Sequence, residues 1–435
     1  MAKYESSAYE VLSVIVPTFL LIFNVTSIYT VFQANVQSYG TKYLLDMIFV
    51  VVPIIFNITV LVPYMVDVFL FSAVVPVTLL LASRYNRRMK TVPVDEPPSE
   101  KKNFVTNARS TINLITAIAI LAVDFNIFPK QFHKRYKYGY SLMDVGVGLF
   151  VFANGIVAPE VRGYTHTLLK TLKDSTPLIV LGVGRYFVVT MIGYDVSVTE
   201  YGVHWNFFIT LAITKIFGTC FLNIIHARYS VIGGLFLLCV HEFLLQMWLS
   251  DYVFSDIGRE NLISANREGI VSSLGFVSLY FLSVQFGMLL NHKETNRNLA
   301  VKLVSCTVIL FTATVVWKSR FDMSRRLANS VYCLWTLSIG VLMTTLFFFS
   351  ELFQKYVYGK YNYSRVFCVP FVMDAINFNG LTYFLIANVL TGLVNIVFET
   401  LLIDTFWSLV ILVVYINLVC LVISLLFVKN VKLKL

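Results

Sequence analysis

A carboxylate and a group of bases follow each other closely in the stretch 122–155, AVDFNIFPKQFHKRYKYGYSLMDVGVGLFVFANG. Asp124 ends an apolar run, Pro129 breaks the helix, and Lys134 follows in a basic loop. A carboxylate at the edge of a bilayer loses hydration and becomes a stronger base when a nearby cation keeps it ionised. Lys134 can supply that cation or polarise a carbonyl oxygen as negative charge develops. The pair predicts general-base chemistry, and the alternative is a structural ion pair at the end of a span.

Other charged and polar residues lie where they could bind an anionic substrate. An arginine within a span needs a carboxylate or an anionic ligand, and arginine forks suit phosphates. His204 enters a span among aromatic residues and is a second candidate base, or else a hydrogen-bonding residue of the interface. The polar groups on glycine-rich helices could instead only join helices. The binding candidates are Lys130, Arg135, Lys137, Asp144, Asn154, Arg185, Trp205, Asn206, Arg267, Arg325, Arg326 and Asn388.

The composition indicates an integral membrane protein. Of 435 residues, 57% are hydrophobic and only 13% charged, whereas a soluble protein carries about 25% charged residues. The net charge of +10 lies in short loops and favours anionic headgroups or an anionic substrate over nucleic acid. The six cysteines show no metal-ligand spacing. Motifs of serine hydrolases, zincins and ATPases do not occur, so these classes lack support.

The apolar runs predict an all-α, polytopic helical bundle with about 13 transmembrane helices. We expect transmembrane helices in 1–83, a basic, proline-rich cytoplasmic loop in 84–106, a catalytic transmembrane bundle in 107–428 and a cytoplasmic tail in 429–435. The predicted spans are 11–32, 43–61, 64–83, 107–125, 141–158, 175–193, 205–224, 230–249, 269–290, 298–317, 328–349, 371–398 and 404–428.

The distribution of lysine and arginine predicts the orientation, because these residues favour cytoplasmic loops. The loop 84–106 has the strongest such signal, which places the C-terminus in the cytoplasm and the N-terminus outside it. Two strongly basic loops, 129–140 and 318–326, then fall on the extracytoplasmic side. Either the count of spans is wrong or these charges are kept for a function, and we favour the second interpretation.

Several long segments resemble one family. They are AVDFNIFPK, YGYSLMDVGVGLFVFANG, EYGVHWNFF, NREG, SRRLAN and ANVLTGLVN, and they occur in order between about 108 and 395. In this respect the chain is similar to the glucosaminyl-phosphatidylinositol inositol acyltransferases, known in fungi as GPI-anchored wall transfer proteins. Asn126 stands where a proline is common in that family.

The resemblance implies an endoplasmic-reticulum enzyme with a lumenal N-terminus and a cytoplasmic C-terminus. Such an enzyme transfers a fatty acyl group, usually palmitoyl, from acyl-CoA to the inositol 2-hydroxyl of GlcN-phosphatidylinositol. The family's catalytic acid and lysine correspond by motif to Asp124 and Lys134. Acyl-CoA is then a co-substrate, and no permanently bound cofactor and no metal are implied. The alternative is a transporter or flippase of a phosphorylated glycolipid that uses the same cations as a binding site.

Overall fold

The computed structural model describes residues 8–33, 35–85, 102–164, 167–192, 198–360 and 366–433, and within these ranges it is helical and contains no strand. Two helical turns of π type continue α2 into α3 and α9 into α10. The α-helices are α1 Ala8–Val31, α2 Tyr39–Asp46, α3 Val52–Ile58, α4 Met65–Tyr85, α5 Asn103–Ala122, α6 Leu142–Gly155, α7 Leu168–Ile192, α8 Phe207–Ile225, α9 Ser230–Leu244, α10 Ser250–Phe254, α11 Leu262–Ala265, α12 Arg267–Asn291, α13 Asn296–Lys318, α14 Ser330–Lys360, α15 Phe371–Phe378, α16 Gly380–Val397 and α17 Thr405–Val428.

Eleven helical segments among the described residues are long and apolar enough to cross a membrane. Each of them overlaps a predicted span, so the polytopic helical fold is confirmed. The two remaining predicted spans, 64–83 and 175–193, are also helical and correspond to α4 and α7, which are not among the eleven. One predicted span, 371–398, is divided: α15 ends at Phe378 and α16 begins at Gly380.

The chain forms two compact units. The first unit consists of Met1–His133, Ser141–Met143 and Met343–Leu435, and the second of Lys134–Tyr140 and Asp144–Leu342. The division into N-terminal helices, cytoplasmic loop, catalytic bundle and cytoplasmic tail that we expect from the sequence stays a prediction. Most of its proposed cytoplasmic loop, 86–101, lies outside the described residues.

Buried polar side chains join the helices of the first unit. Gln354 on α14 donates to Thr26 Oγ1 on α1 at 2.6 Å. Ser110 on α5 donates to the carbonyl of Met373 on α15 at 2.6 Å. Such bonds hold helices together in lipid, where apolar burial gives little preference for one helix neighbour over another.

Close backbone approach joins the helices of the second unit, in which α12 packs against α8 and α9. A Cβ atom added at Gly275 would lie 2.1 Å from the carbonyl oxygen of Ala328, and one at Gly155 would lie 2.5 Å from Cβ of Ser283. Only glycine fits at these two positions, as expected where helices meet at small residues. The approach at Gly275 brings α12 against the turn that carries Arg325 and Arg326.

Candidate functional site

In the first unit, the loop after α5 is fixed by aromatic side chains that are almost completely buried. Phe125, Phe128 and Phe132 expose at most 2% of their surface. Asp124 lies directly before this anchored segment and is partly buried. Its Oδ2 atom accepts a hydrogen bond from Nδ2 of Asn395, near the end of α16, at 2.7 Å. The buried phenylalanines therefore fix the loop that presents this carboxylate.

The first unit also contains two predicted binding residues, Lys130 and Asn388, and Asn126, where the family commonly has a proline. Asn126 donates to the carbonyl of Leu401 at 2.6 Å and so ties this loop to the segment before α17. Asn388 donates to the carbonyl of Phe384 in its own helix at 2.7 Å. Lys130 is exposed. Of the two asparagines on α16 that lie seven residues apart, Asn395 is the one that bonds to Asp124.

In the second unit, four loops meet at one end of the helices. The amide of Gly139 donates to the carbonyl of Met323 at 2.9 Å, and Ser324 Oγ donates to the carbonyl of Lys137 at 2.7 Å. The amide of Val203 donates to the carbonyl of Ala265 at 2.9 Å. Since Lys134 also bonds Glu200, the loops 134–140, 198–206, 255–266 and 319–329 lie on one side of this unit.

A buried ion pair links the first of these loops to the last. Arg325 Nε donates to Asp144 Oδ1 at 3.0 Å, and both residues are at most 6% exposed. The other carboxylate oxygen of Asp144 accepts from the backbone amide of Arg135 at 3.0 Å. Burial alone would lower the pKa of Arg325, but Tyr201, Glu200 and Asp144 outweigh it and raise that pKa. Arg325 therefore stays charged inside the protein.

A second buried group surrounds Glu268, in the first turn of α12. Its carboxylate is completely buried and accepts two bonds from Arg259, at 2.6 and 3.0 Å. It also accepts a bond from Arg326 Nη2 at 3.2 Å, while Nη1 of Arg326 donates to the carbonyl of Tyr136 at 3.0 Å. One carboxylate thus connects two arginines from different loops.

Lys134 forms a more exposed ion pair. Its Nζ lies 2.6 Å from Glu200 Oε1, and the two side chains are 37% and 24% exposed. Burial favours the neutral form of Glu200, but Lys134, Arg325 and Arg185 together lower its pKa. Glu200 therefore lies ionised among three cations, two of which belong to segments far away in the sequence.

The aromatic segment before α8 is held by amide side chains. Oδ1 of Asn266 accepts from the backbone amides of His204 and Trp205 at 2.9 and 3.0 Å. Asn206 caps α8 by accepting from the amides of Phe208 and Ile209. The His204 ring is exposed and lies 5.0 Å from the ring of Tyr186, measured between centroids.

The remaining binding candidates of the second unit differ in exposure. Lys137, Asn154 and Arg185 are exposed. Arg267 is 4% exposed and donates to the carbonyls of Ile257 and Ser255 at 2.9 and 2.6 Å. The buried arginines bind protein acceptors, whereas Lys137 and Arg185 are open to solvent.

Glu200, Glu268 and Arg259 were not among the site residues predicted from the sequence. A signal existed for the two acids, because Glu200 begins the segment EYGVHWNFF and Glu268 lies within NREG. Arg259 lies outside the quoted segments, and its role depends on a partner that only the fold reveals.

Comparison with known proteins identifies a matching family and several relatives. The sequence model of the GWT1 family matches residues 4–426. The chain is 30% identical to the mouse glucosaminyl-phosphatidylinositol-acyltransferase PIGW, over 89% of this chain and 88% of the relative. It is 31% identical to GPI-anchored wall transfer protein 1 of Saccharomyces cerevisiae, over 91% and 90%. An uncharacterized protein of Arabidopsis thaliana is 34% identical over 85% and 83%.

Proposed function

Because this chain belongs to the GWT1 family, we propose that it transfers a fatty acyl group from acyl-CoA to the inositol 2-hydroxyl of GlcN-phosphatidylinositol. The observation that carries the proposal is similarity to named acyltransferases along almost the whole chain. The sequence resemblance, which rests on Asp124, Lys134 and the loops around them, points to the same reaction. The product is an inositol-acylated intermediate of GPI-anchor assembly.

The proposed reaction is a direct displacement. The inositol oxygen attacks the thioester carbonyl while Asp124 accepts the hydroxyl proton. The new C–O ester bond forms, the C–S bond breaks, and CoA leaves as a thiolate that takes up a proton to give free CoA. Lys134 stabilises the negative charge on the thioester oxygen or on the departing sulfur. No covalent acyl-enzyme is required, and His204 is the second candidate for the base.

We propose that the exposed cations contact the phosphates of the two substrates. Lys130, Lys137 and Arg185 are exposed, whereas Arg325 and Arg326 are buried against Asp144 and Glu268. The buried arginines then shape the loops, and direct contacts from Arg135, Arg267, Arg325 and Arg326 to substrate stay predictions. The same holds for contacts from Asp144, Asn154, Trp205, Asn206 and Asn388.

We propose the endoplasmic-reticulum membrane as the location, with the N-terminus in the lumen and the C-terminus in the cytoplasm. The charge distribution of the sequence supports this orientation, because the loop 84–106 is strongly basic. In the second unit, the basic loops 134–140 and 319–329 are bonded to each other, which agrees with a prediction that places both on the same side of the membrane.

The test is acyl transfer by the purified full-length protein in lipid nanodiscs, with labelled palmitoyl-CoA and GlcN-phosphatidylinositol. We expect label to appear in the glycolipid, and no label in a matched lipid that lacks the inositol 2-hydroxyl. Binding of the glycolipid without any transfer would contradict the proposal and favour a transporter or flippase.

We expect Glu200→Gln to lower kcat by roughly tenfold, because Lys134 loses the carboxylate that holds its ammonium in place. On a Lys134→Ala background the same substitution should have almost no further effect. Steady-state kinetics of the four proteins measures this coupling. Glu260, an exposed acid of the neighbouring loop, provides the control variant Glu260→Gln. Independent, multiplicative effects of the two substitutions would show that Glu200 does not act through Lys134.

A further inference from the structure

The side chain of Asn395 has a donor group and an acceptor oxygen, and among the described residues only the donor has a partner. We propose that its Nδ2 orients Asp124, and that its Oδ1 accepts a hydrogen bond from the substrate hydroxyl next to the one that is acylated. The inference rests on the proposed function, and it assigns Asn395 as a positioning and specificity-determining residue.

The orientation of the amide follows from the chemistry of its neighbour. An ionised carboxylate only accepts hydrogen bonds, so the group that faces Asp124 Oδ2 at 2.7 Å must be the NH2 of Asn395. The carbonyl oxygen then points away from that carboxylate. This Oδ1 atom is shielded from solvent and has no hydrogen-bond partner among the residues that the structure describes. A buried acceptor without a donor is costly, which a donor from the substrate would relieve.

The position of Asn395 is held by its own helix. Thr391, one turn earlier on α16, donates to the carbonyl of Ala387 at 2.9 Å and lies 3.3 Å from the hydroxyl of Tyr415 on α17. Tyr415 in turn donates to the carbonyl of Ala117 on α5, at 3.0 Å. Because α5 leads directly to Asp124, these bonds fix the face of α16 that carries Asn395 relative to the carboxylate.

A lipid substrate can reach this end of α16 from the bilayer. Ile396, Val397 and Phe398 are 60%, 69% and 44% exposed, and they follow Asn395 directly. Asn388, by contrast, bonds its own helix carbonyl. Asn395 thus combines a bond to the proposed base, an unused acceptor and an exposed apolar surface beside it.

The ligand chemistry that fits is a vicinal diol. In phosphatidylinositol the 2-hydroxyl lies between the phosphate-bearing carbon and the carbon of the 3-hydroxyl, so the 3-hydroxyl is its only free neighbour. When Asp124 accepts the proton of the 2-hydroxyl, the 3-hydroxyl can donate to Asn395 Oδ1. Selection by a buried polar group is strong, because an analogue without the hydroxyl leaves that group unpaired.

The experiment compares GlcN-phosphatidylinositol with its 3-deoxy-inositol analogue, for wild type, Asn395→Ala and Asn395→Asp. In wild type, kcat/KM for the 3-deoxy lipid should be lower than for GlcN-phosphatidylinositol by a factor of about ten or more. Asn395→Ala should lower kcat by roughly ten- to a hundredfold and treat the two lipids alike. Asn395→Asp should lower kcat further than Asn395→Ala does, because two carboxylates would face each other and one would take up a proton.

The control is Asn113→Ala. Asn113 is a buried asparagine on α5 whose Nδ2 donates to the carbonyl of Arg109 in its own helix at 3.0 Å. This variant should keep wild-type kcat and wild-type discrimination between the lipids.

Equal kcat/KM values for the two lipids in wild type would overturn the proposal, whether or not the variants fold. Discrimination that persists in folded Asn395→Ala would overturn it as well. If wild type binds both lipids but transfers no acyl group, the proposed function fails. In that case the binding of the two lipids is compared instead. Weaker binding of the 3-deoxy lipid by wild type but not by Asn395→Ala would support the hydroxyl contact. The same ratio of the two affinities in both proteins would overturn it.

Discussion

Asp124→Asn is expected to lower kcat by roughly 10²–10⁴-fold, the usual contribution of a positioned general base. An amide of nearly the same size cannot accept a proton from the inositol hydroxyl. The bond to Asn395 can persist, because the new side chain keeps an acceptor oxygen in the place where Asp124 Oδ2 accepts at 2.7 Å. The substitution therefore separates chemistry from structure.

The measurement is single-turnover acyl transfer, with thermal unfolding and glycolipid binding as controls for the fold. We expect binding and unfolding temperature close to wild type. Transfer at the wild-type rate would exclude Asp124 as the base and move that role to His204. His204→Gln would then have to abolish transfer, whereas under the proposal it has a small effect.

The membrane fold could be predicted from the sequence because only helices and closed barrels satisfy their backbone polar groups in lipid, and continuous apolar runs of about 20 residues indicate helices. Counting apolar runs did not show that one of the predicted spans is interrupted. The predicted span 371–398 breaks at Asn379, whose side chain donates to the carbonyl of Val431 and accepts from the amide of Leu433. Both partners lie beyond the last helix, and the local signal is only the dipeptide Asn379-Gly380, which is typical of a turn but does not show what stabilises the break.

The sequence predicted several charged residues of the candidate site, but it did not predict which residues pair with each other. The sequence identified the cations Lys134, Arg325 and Arg326, because they lie in loops that are strongly basic although they are predicted to be extracytoplasmic. Lys134 and Arg326 pair with Glu200 and Glu268, which lie 66 and 58 residues away along the chain. Arg325 pairs with Asp144, 181 residues away. Such pairs depend on which loops the fold brings together, which the local sequence does not specify.

The two asparagines of ANVLTGLVN illustrate the same limit. Asn388 and Asn395 lie on one face of α16, and the sequence analysis chose Asn388 as a binding residue. In the structure, Asn388 donates to its own helix at 2.7 Å, whereas Asn395 donates to Asp124. Spacing identifies the helix face, but the position along the helix decides which side chain reaches the carboxylate.

Glu268→Gln is expected to lower the free energy of unfolding by about 3–5 kcal/mol, the usual cost of removing one member of a buried ion pair. Glu268 is completely buried and pairs with both Arg259 and Arg326. A glutamine would leave Arg326 buried and Arg259 partly buried, with no carboxylate from this position. Its NH2 group would also place donors against donors.

The measurement is thermal or denaturant unfolding of the purified protein in detergent, followed by helical circular dichroism. The matched control is Glu294→Gln, which removes an acid whose partner Lys302 is 48% exposed. That variant should change the free energy of unfolding by less than about 1 kcal/mol, as is usual for exposed ion pairs. Equal unfolding for the two variants would show that the arginines around Glu268 are solvated, and that the loops 134–140 and 319–329 are held by their backbone bonds instead. The larger loss for Glu268→Gln would make this carboxylate the structural centre of the second unit's charged loops, since Arg326 also bonds the carbonyl of Tyr136, two residues after Lys134.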